Sequence, residues 1–483
     1  MIAAAAPSVA ATSPLDVNYL TLTPGSDATQ LTFSWHTADK TDNPVVRIWT
    51  QGNLASDFTG TSSTTVSTIS NMYYNRVTIT DLALDTIYTY QVGDGNDNWS
   101  FEYTTKTGNS DVFSYIIVGD PQIGSSGNVP RDTDAWVNTL NVITNAFPNT
   151  AFMAGTGDQI ETSGTLAQYT GFFTPSQMTS LPFATCMGNH EGSGTAPHTF
   201  YNPPNTDGGQ DVMDYWYRHG DTLFLVWDST TGTPDAMRSF LNDAITQNED
   251  ATWRILSFHY DVYGQGTSHA LSDGKNYRDG YVPVIDEFNI DVVFNGHDHS
   301  YSRSYPMMYS GSASTSNTQG MQDETFDSNG RSIDPTGTVY FSLNSATGSK
   351  YYDLTSKQPY TATMDQKNIP NFSVVDMTPA TFTCTTYQIN TDNSITEIDS
   401  YTIVKSTLLT IDSVTPTAYV TQLNGNKNDL TITITEKLTD YTTNIITETF
   451  SINNNAANTY TVGSYKVYVD TKGNTQVRAC YIA

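Results

Sequence analysis

The chain has 483 residues, enough for about three domains of ordinary size. Charged residues are only 14% against 37% hydrophobic and 30 Tyr, so the surface must be built largely from Thr, Ser, Asn and Gln, which favours strands over helices. The net charge of −28, from 21 basic and 49 acidic residues, argues against a nucleic-acid backbone or an anionic membrane as main partner, and an anionic substrate would need a local source of positive charge.

The opening stretch MIAAAAPSVAATSPLD is rich in Ala, Ser and Pro but lacks a basic region and a long apolar run. It reads as the start of a mature exported protein, secreted or held at the cell surface. No run of about 18 apolar residues occurs, so no membrane span is expected. From residue 15 to 108, short alternating runs divided by turn signals predict an antiparallel β-sandwich: LTFSWHTA (31–38), PVVRIWTQG (44–52), RVTITDL (76–82) and IYTYQVGDG (87–95). The Trp35 strand and the stretch from Leu82 to Tyr90 resemble a fibronectin type III-like module.

Near residue 111 the pattern changes. DVFSYIIVGD reads as a buried strand ending in Gly-Asp. A helix from Asp132 to Phe147 follows, with Trp136, Leu140, Val142 and Ile143 as candidate core, then TAFMAGTGD, a further helix and PFATCMGNH. TPDAMRSFLNDAITQN is an amphipathic helix with Pro234 near its start; WRILSFH is a strand, VPVIDEF a helix and DVVFNGHDH a strand. Such alternation implies an α/β layered domain, placed at 111–406 with the strands GTVYFSLNS, NFSVVDMT, ATFTCTTYQI and ITEIDSYTIVK completing its sheets. Residues 310–329 are poor in apolar side chains and read as a surface loop. Residues 408–483 read as a small separate β-module, with LTITITEKL, ETFSI and GSYKVYVD as strands.

Of the three cysteines, Cys384 and Cys480 sit in strand-like segments and form the pair to test for a bridge; three free thiols fit the sequence equally well.

The polar residues of interest stand where strands end, the place where loops of an α/β sheet converge on a crevice. They are Asp120 (VGDPQ), Asp158 (GTGDQIE), Asn189 with His190 (MGNHE), His259 (SFHY), and His297 with His299 (NGHDH). Taken singly each is weak, because an Asp after Gly is usually a turn or cap residue. Together, carboxylate, imidazole and amide oxygen suit Zn, Fe or Mn and not a thiolate site.

This series, Gly119-Asp120, Gly157-Asp158-Gln159-Ile160-Glu161, Gly188-Asn189-His190-Glu191, His259 and Gly296-His297-Asp298-His299, resembles the calcineurin-like metallophosphoesterase superfamily. Within it the chain is most similar to the purple acid phosphatases, which also carry an N-terminal fibronectin-like module. GHDHSYSR, ending at Arg303, and His269 ten residues after His259 extend the likeness. The resemblance implies a central four-layer α/β/β/α domain and two metal ions, of zinc, iron or manganese. One would take Asp120, Asp158 and His299; the other Asp158, Asn189, His259 and His297. It further implies hydrolysis of a small phosphorylated substrate, a phosphate monoester, by metal-activated hydroxide, with His190 and His269 binding the phosphoryl group and protonating the leaving oxygen. Glu191 is expected to orient the His190 ring.

Two positions depart from the family. Its members carry a metal-ligating Tyr where this chain has Glu161, or a His where it has Gln122. Glu161 is the expected replacement ligand, directly or through water, with Gln122 behind it; the other reading of Glu161 is a residue that orients a ligand or caps the next helix. Two alternatives stay open: a phosphodiesterase or nucleotide pyrophosphatase with the same centre, and an inactive cell-surface binding protein. Oligomeric state, natural substrate and the role of the C-terminal module are not readable from sequence.

Overall fold

In the computed structural model, residues 14–481 are described apart from 193–196, 208–212, 311–319, 410, 423–426, 440–441, 454–457 and 471–475. The chain divides into two compact units, one running to Met377 and including Phe382–Ile403, the other Val404 onward with Thr378–Thr381.

The first unit opens with two four-stranded antiparallel sheets. One orders Asn18–Pro24, Leu31–Thr37, Tyr73–Ile79 and Thr61–Ser62; the other Ser56–Thr59, Val45–Trp49, Ile87–Gly93 and Tyr103–Lys106. Phe33, Trp35, Val46, Ile48, Val77 and Tyr90 fill the space between them. Every residue of Leu31–Thr37 is buried, against the half-exposed face that alternation predicts. The cause is a second contact: His36 on the polar face meets the Thr199 carbonyl at 2.9 Å and stacks on Phe200 at 4.7 Å.

The rest of the unit is built on two seven-stranded sheets. One runs in the order Phe183–Ala184, Phe152–Gly155, Phe113–Val118, Asn371–Met377, Thr381–Ile389, Ile395–Val404 and Ser332–Ile333. The other runs Tyr215–His219, Thr222–Trp227, Trp253–Phe258, Val292–Asn295, Val339–Ser342, Tyr301–Ser304 and Thr361–Asp365. Their apolar strands serve two cores at once. Phe224, Val226, Ile255, Phe294 and Phe341 face the other sheet, while Leu223, Leu225, Leu256, Val293 and Tyr340 face helices. A strand covered on both faces has no polar face, which is why these segments read as continuous apolar runs.

Among the described residues, four α-helices cover the sheets. α1 (Val129–Ala146) starts at Asn128, whose side chain accepts from the Arg131 amide, and with α2 (Leu166–Phe172) packs Trp136, Leu140, Tyr169 and Phe172 against the first sheet. α3 (Pro234–Thr246) is capped by the Thr233 hydroxyl. α4 (Asp273–Glu287) packs with α3 on the second sheet. The result is a four-layer α/β/β/α arrangement behind a β-sandwich, the fold class expected from the sequence. α4 begins much earlier than VPVIDEF, because Gly274, Gly280 and Pro283 mask a helix held by buried Tyr281, Val282 and Ile285.

The second unit has two three-stranded sheets, Ile411–Gln422, Lys427–Leu438 and Thr443–Asn453, then Asn458–Val462, Tyr465–Asp470 and Gln476–Tyr481. Leu430, Ile432, Ile434, Val462, Tyr465 and Val467 form its core. Cys384 is a buried free thiol. The Cys480 side chain, and most of the 310–329 loop's tip, lie outside the described residues.

Candidate metal centre

The six expected ligands lie beyond the carboxyl ends of parallel strands, three from each sheet. Asp120, Asp158 and Asn189 follow Phe113–Val118, Phe152–Gly155 and Phe183–Ala184; His259, His297 and His299 follow Trp253–Phe258 and Val292–Asn295. Asp120 (φ 35°), Asp158 (φ 49°), His297 (φ 69°) and His299 (φ 43°) are in the left-handed region, which non-glycine residues seldom adopt. That conformation turns each side chain back over the strand ends. The glycines of the motifs have a different task. A Cβ on Gly188 would sit 2.1 Å from Asp158 Oδ1, and one on Gly296 would sit 2.6 Å from Asp120 Oδ2. Backbone passes directly beneath the carboxylates there, and only glycine leaves room.

Three imidazoles are pinned in the same way. His259 donates from Nδ1 to the Thr156 carbonyl at 2.8 Å, leaving Nε2 3.0 Å from Asn189 Oδ1 and 3.3 Å from Asp158 Oδ2. His299 donates from Nδ1 to the Lys350 carbonyl at 3.2 Å, with Nε2 3.8 Å from Asp120 Oδ1. His297 turns Nε2 to Asp273 Oδ2 at 3.4 Å and Nδ1 to within 3.2 Å of His259 Nε2. In each ring an acceptor holds the outer nitrogen, so the inner one is turned to the site and becomes a lone-pair donor whenever the ring is neutral.

Donor atoms converge in two clusters sharing one carboxylate: Asp158, His259 and His297, and Asp120, Asp158 and His299, all buried. Burial pushes the Asp120 carboxyl up to about 8, opposed by His259 and helped by the charge of Asp158. Burial acts on Asp158 too, but His259 and His190 outweigh it and hold that carboxyl below the usual range. Burial likewise disfavours charge on His259, yet Asp158 and Asp120 raise it to about 10. His297 and His299 are lowered by burial, to about 4 and about 3, and stay neutral. The buried Asp158 carboxylate is balanced here by the proton on His259, and the oxygen and nitrogen donor set fits two cations bridged by Asp158, which would take that proton's place.

Beside the Asp120 cluster lies Gln122, fully buried, its Nε2 3.5 Å from Asp158 Oδ2 and its Oε1 without a hydrogen-bond partner. Glu161 stands outside both clusters; its Oε2 lies 3.5 Å from His190 Nδ1. His190 donates from its backbone to Asp158 Oδ1 at 3.0 Å and from Nδ1 to the Glu161 carbonyl at 2.7 Å, with Nε2 3.9 Å from Asp158 Oδ2. Glu191 does not orient that ring. Its carboxylate accepts from the amides of Asp158, Gln159, Ile160 and Gly188, so it clamps one ligand loop to the next. His269 lies against His297, ring centroids 3.8 Å apart, and donates from Nδ1 to Asp273 at 3.0 Å. Arg303 is away from this chemistry, paired with Asp399 at 2.7 Å.

Sequence reading missed Asp273 and Lys350. Asp273 carried one signal, its place four residues after His269, hidden because α4 was expected to start later. Lys350 contributes a carbonyl, for which a sequence has no signal.

Residues 17–107 match the family described as purple acid phosphatase, N-terminal domain, and residues 113–301 the calcineurin-like phosphoesterase family. The chain is 24% identical over 335 residues to a purple acid phosphatase of Glycine max, covering 60% of this chain and 69% of that protein. It is 22% identical over 275 residues to a protein of Arabidopsis thaliana named probable inactive purple acid phosphatase 1, covering 49% of this chain but only 45% of that one. Among solved structures it resembles the purple acid phosphatase PPD1 from Lupinus luteus seeds, with a TM-score of 0.62 at 16% identity over 82% of this chain and 75% of that one; this establishes a shared fold.

Proposed function

From its membership of the calcineurin-like metallophosphoesterase superfamily, on the purple acid phosphatase side, we propose that this chain is a secreted dinuclear-metal phosphoesterase that hydrolyses phosphate monoesters. The observation that carries the reading is the common pinning of His259, His297 and His299, whose inner nitrogens converge with Asp120, Asp158 and Asn189. Asp120, Asp158 and His299 would hold one cation; Asp158, Asn189, His259 and His297 the other. Bound there, two cations supply charge to neutralise phosphoryl oxygens and to make water nucleophilic at neutral pH.

The remaining chemistry falls to the chain's own groups. His190, its Nδ1–H tied to the Glu161 carbonyl, would as the imidazolium donate Nε2–H to a phosphoryl oxygen. His269, with Nδ1–H on Asp273, turns Nε2 to the leaving oxygen; as the imidazolium it gives that oxygen its Nε2 proton and is left neutral, with Nδ1–H still on Asp273. Lys350, half-buried next to His299, adds positive charge to a molecule whose net charge of −28 otherwise repels the substrate. Export is supported by the composition, with only 14% charged residues and the polar surface left to Thr, Ser and Asn.

The test is metal analysis of the purified protein beside turnover of an aryl phosphate monoester and a bis-aryl diester. Two cations per chain with monoester turnover is expected. Turnover of the diester alone would move the assignment to a phosphodiesterase. A protein that takes up no cation and stays inert with Zn, Mn or Fe would sink the reading and leave a binding protein built on this fold.

A further inference from the structure

Asp273 is the first residue of α4, and its carboxylate lies between two histidines of the site. Oδ2 is 3.0 Å from His269 Nδ1 and 3.4 Å from His297 Nε2, while Oδ1 is 3.1 Å from His269 Nδ1. Oδ1 also accepts from the Ser272 hydroxyl and the Gly274 amide, both at 3.1 Å, so the carboxylate is fixed from the helix side before it meets either ring.

The geometry points to Asp273 as a positioning residue that fixes the tautomer of His297 and the orientation of His269 with one carboxylate, an inference that rests on the proposed metal-binding reading. A neutral imidazole has one N–H and one lone pair. With Nε2–H directed to Asp273, His297 keeps its lone pair on Nδ1, the nitrogen 3.2 Å from His259 Nε2 at the shared cluster. With Nδ1–H on the same carboxylate, His269 turns Nε2 to substrate, and in the imidazolium form that donates a proton from Nε2 the carboxylate also balances the ring's charge. The two rings touch at 3.8 Å between centroids, so neither can swing without displacing the other. Asp273 thereby ties a metal-facing histidine to the histidine that protonates the leaving group.

Two other roles are possible for this carboxylate. His269, Asp273 and His297 also lie close enough together to hold a cation of their own. The single lone pair of a neutral ring argues against that, since His297 would have to ligate on both sides. Alternatively, an acidic residue in a first helical turn can serve the helix alone. Asp235 at the start of α3 is the matched comparison: it pairs with Arg238 and meets no histidine.

The experiment titrates the full-length, metal-stripped protein with Zn(II) and Co(II), following binding by calorimetry and the visible Co(II) spectrum. In Asp273→Asn we expect the more weakly held of two cations to lose roughly 10–100-fold in affinity, the usual scale for removing a partner of a ligating histidine. Its Co(II) bands should shift, with partial recovery in Asp273→Glu, while Asp235→Asn leaves both unchanged. His269→Phe should keep both affinities near wild type and lower kcat. Unchanged affinities and spectra in Asp273→Asn, whatever its melting temperature, would overturn the inference and leave the metal reading standing. So would a third cation lost alone in that variant. A wild-type protein that binds no cation would overturn the metal reading and this inference with it.

Discussion

His190 is where single-residue chemistry can be separated from metal binding. Its ring reaches Asp158 only at 3.9 Å and belongs to neither donor cluster. His190→Ala should therefore leave metal content near normal and lower kcat by roughly 10²- to 10⁴-fold, the range for losing a proton-transfer or phosphoryl-binding imidazole. Metal analysis with steady-state kinetics checks this, and an unchanged kcat refutes the role. Glu161 permits a second prediction. A carboxylate or amide beside the Asp120 cluster cannot produce the phenolate-to-iron absorption that colours the purple members of the family. Iron-loaded protein should show no intense visible band, and an absorption spectrum decides it. At this scale the sequence was informative where a side chain's identity is its chemistry, as with Asp120, Asn189 or His297 at strand ends. It misled where position decides: Glu191 adjoins His190 in sequence yet points under the neighbouring loop to collect four amide protons. Gln122 tells the same story, since only the fold puts its amide 3.5 Å from the shared carboxylate with an oxygen left over.

Among elements, the sheet order explains why the two-core strands were easy to recognise and α4 was not. Continuous apolar runs such as Thr222–Trp227 announce a strand covered on both faces, whereas α4 carries two glycines and a proline and is held by packing against α3 and the sheet beneath. The short edge strands Ser56–Thr59, Thr61–Ser62 and Tyr103–Lys106 were equally invisible, having too few residues to show a period. Arg303, which looked like part of a functional motif, joins the two sheets. It leaves strand Tyr301–Ser304, pairs with Asp399 on Ile395–Val404 at 2.7 Å and 3.2 Å, and lies over the Tyr401 ring at 4.3 Å. Arg303→Ala strands a nearly buried carboxylate, at a cost of about 3–5 kcal/mol in unfolding free energy. Arg303→Met combined with Asp399→Leu should recover most of it. Denaturant unfolding measures both; a single variant as stable as wild type would show the pair to be dispensable.

For the first unit as a whole, His36 and His219 are buried at the contact between the β-sandwich and the domain behind it. His36 bridges the Ser70 hydroxyl at 2.8 Å and the Thr199 carbonyl at 2.9 Å. His219 donates to the Asn109 carbonyl at 2.7 Å and packs on Phe113 at 4.2 Å. Burial lowers both to about 4 from 6.5, and for His36 the Arg76 charge adds to this. Between those values the unfolded chain binds protons that the folded one refuses, so unfolding becomes easier as pH falls. The stability these rings contribute is complete above about pH 6.5 and is lost as pH falls toward 4. At about 1.4 kcal/mol per pH unit, each ring accounts for about 3 kcal/mol over that window. The whole profile will not show this directly. Asp214, raised to about 7 by burial, tilts stability the opposite way, since its folded form holds a proton that rising pH removes. The difference between wild type and His36→Gln with His219→Gln isolates the two rings. It should be largest above pH 6.5, where the neutral histidines are fully bonded, and shrink toward pH 4, where glutamine carries no protonation penalty. A difference in unfolding free energy that stays constant across that range would show that neither ring titrates with unfolding, and that acid acts on this protein elsewhere.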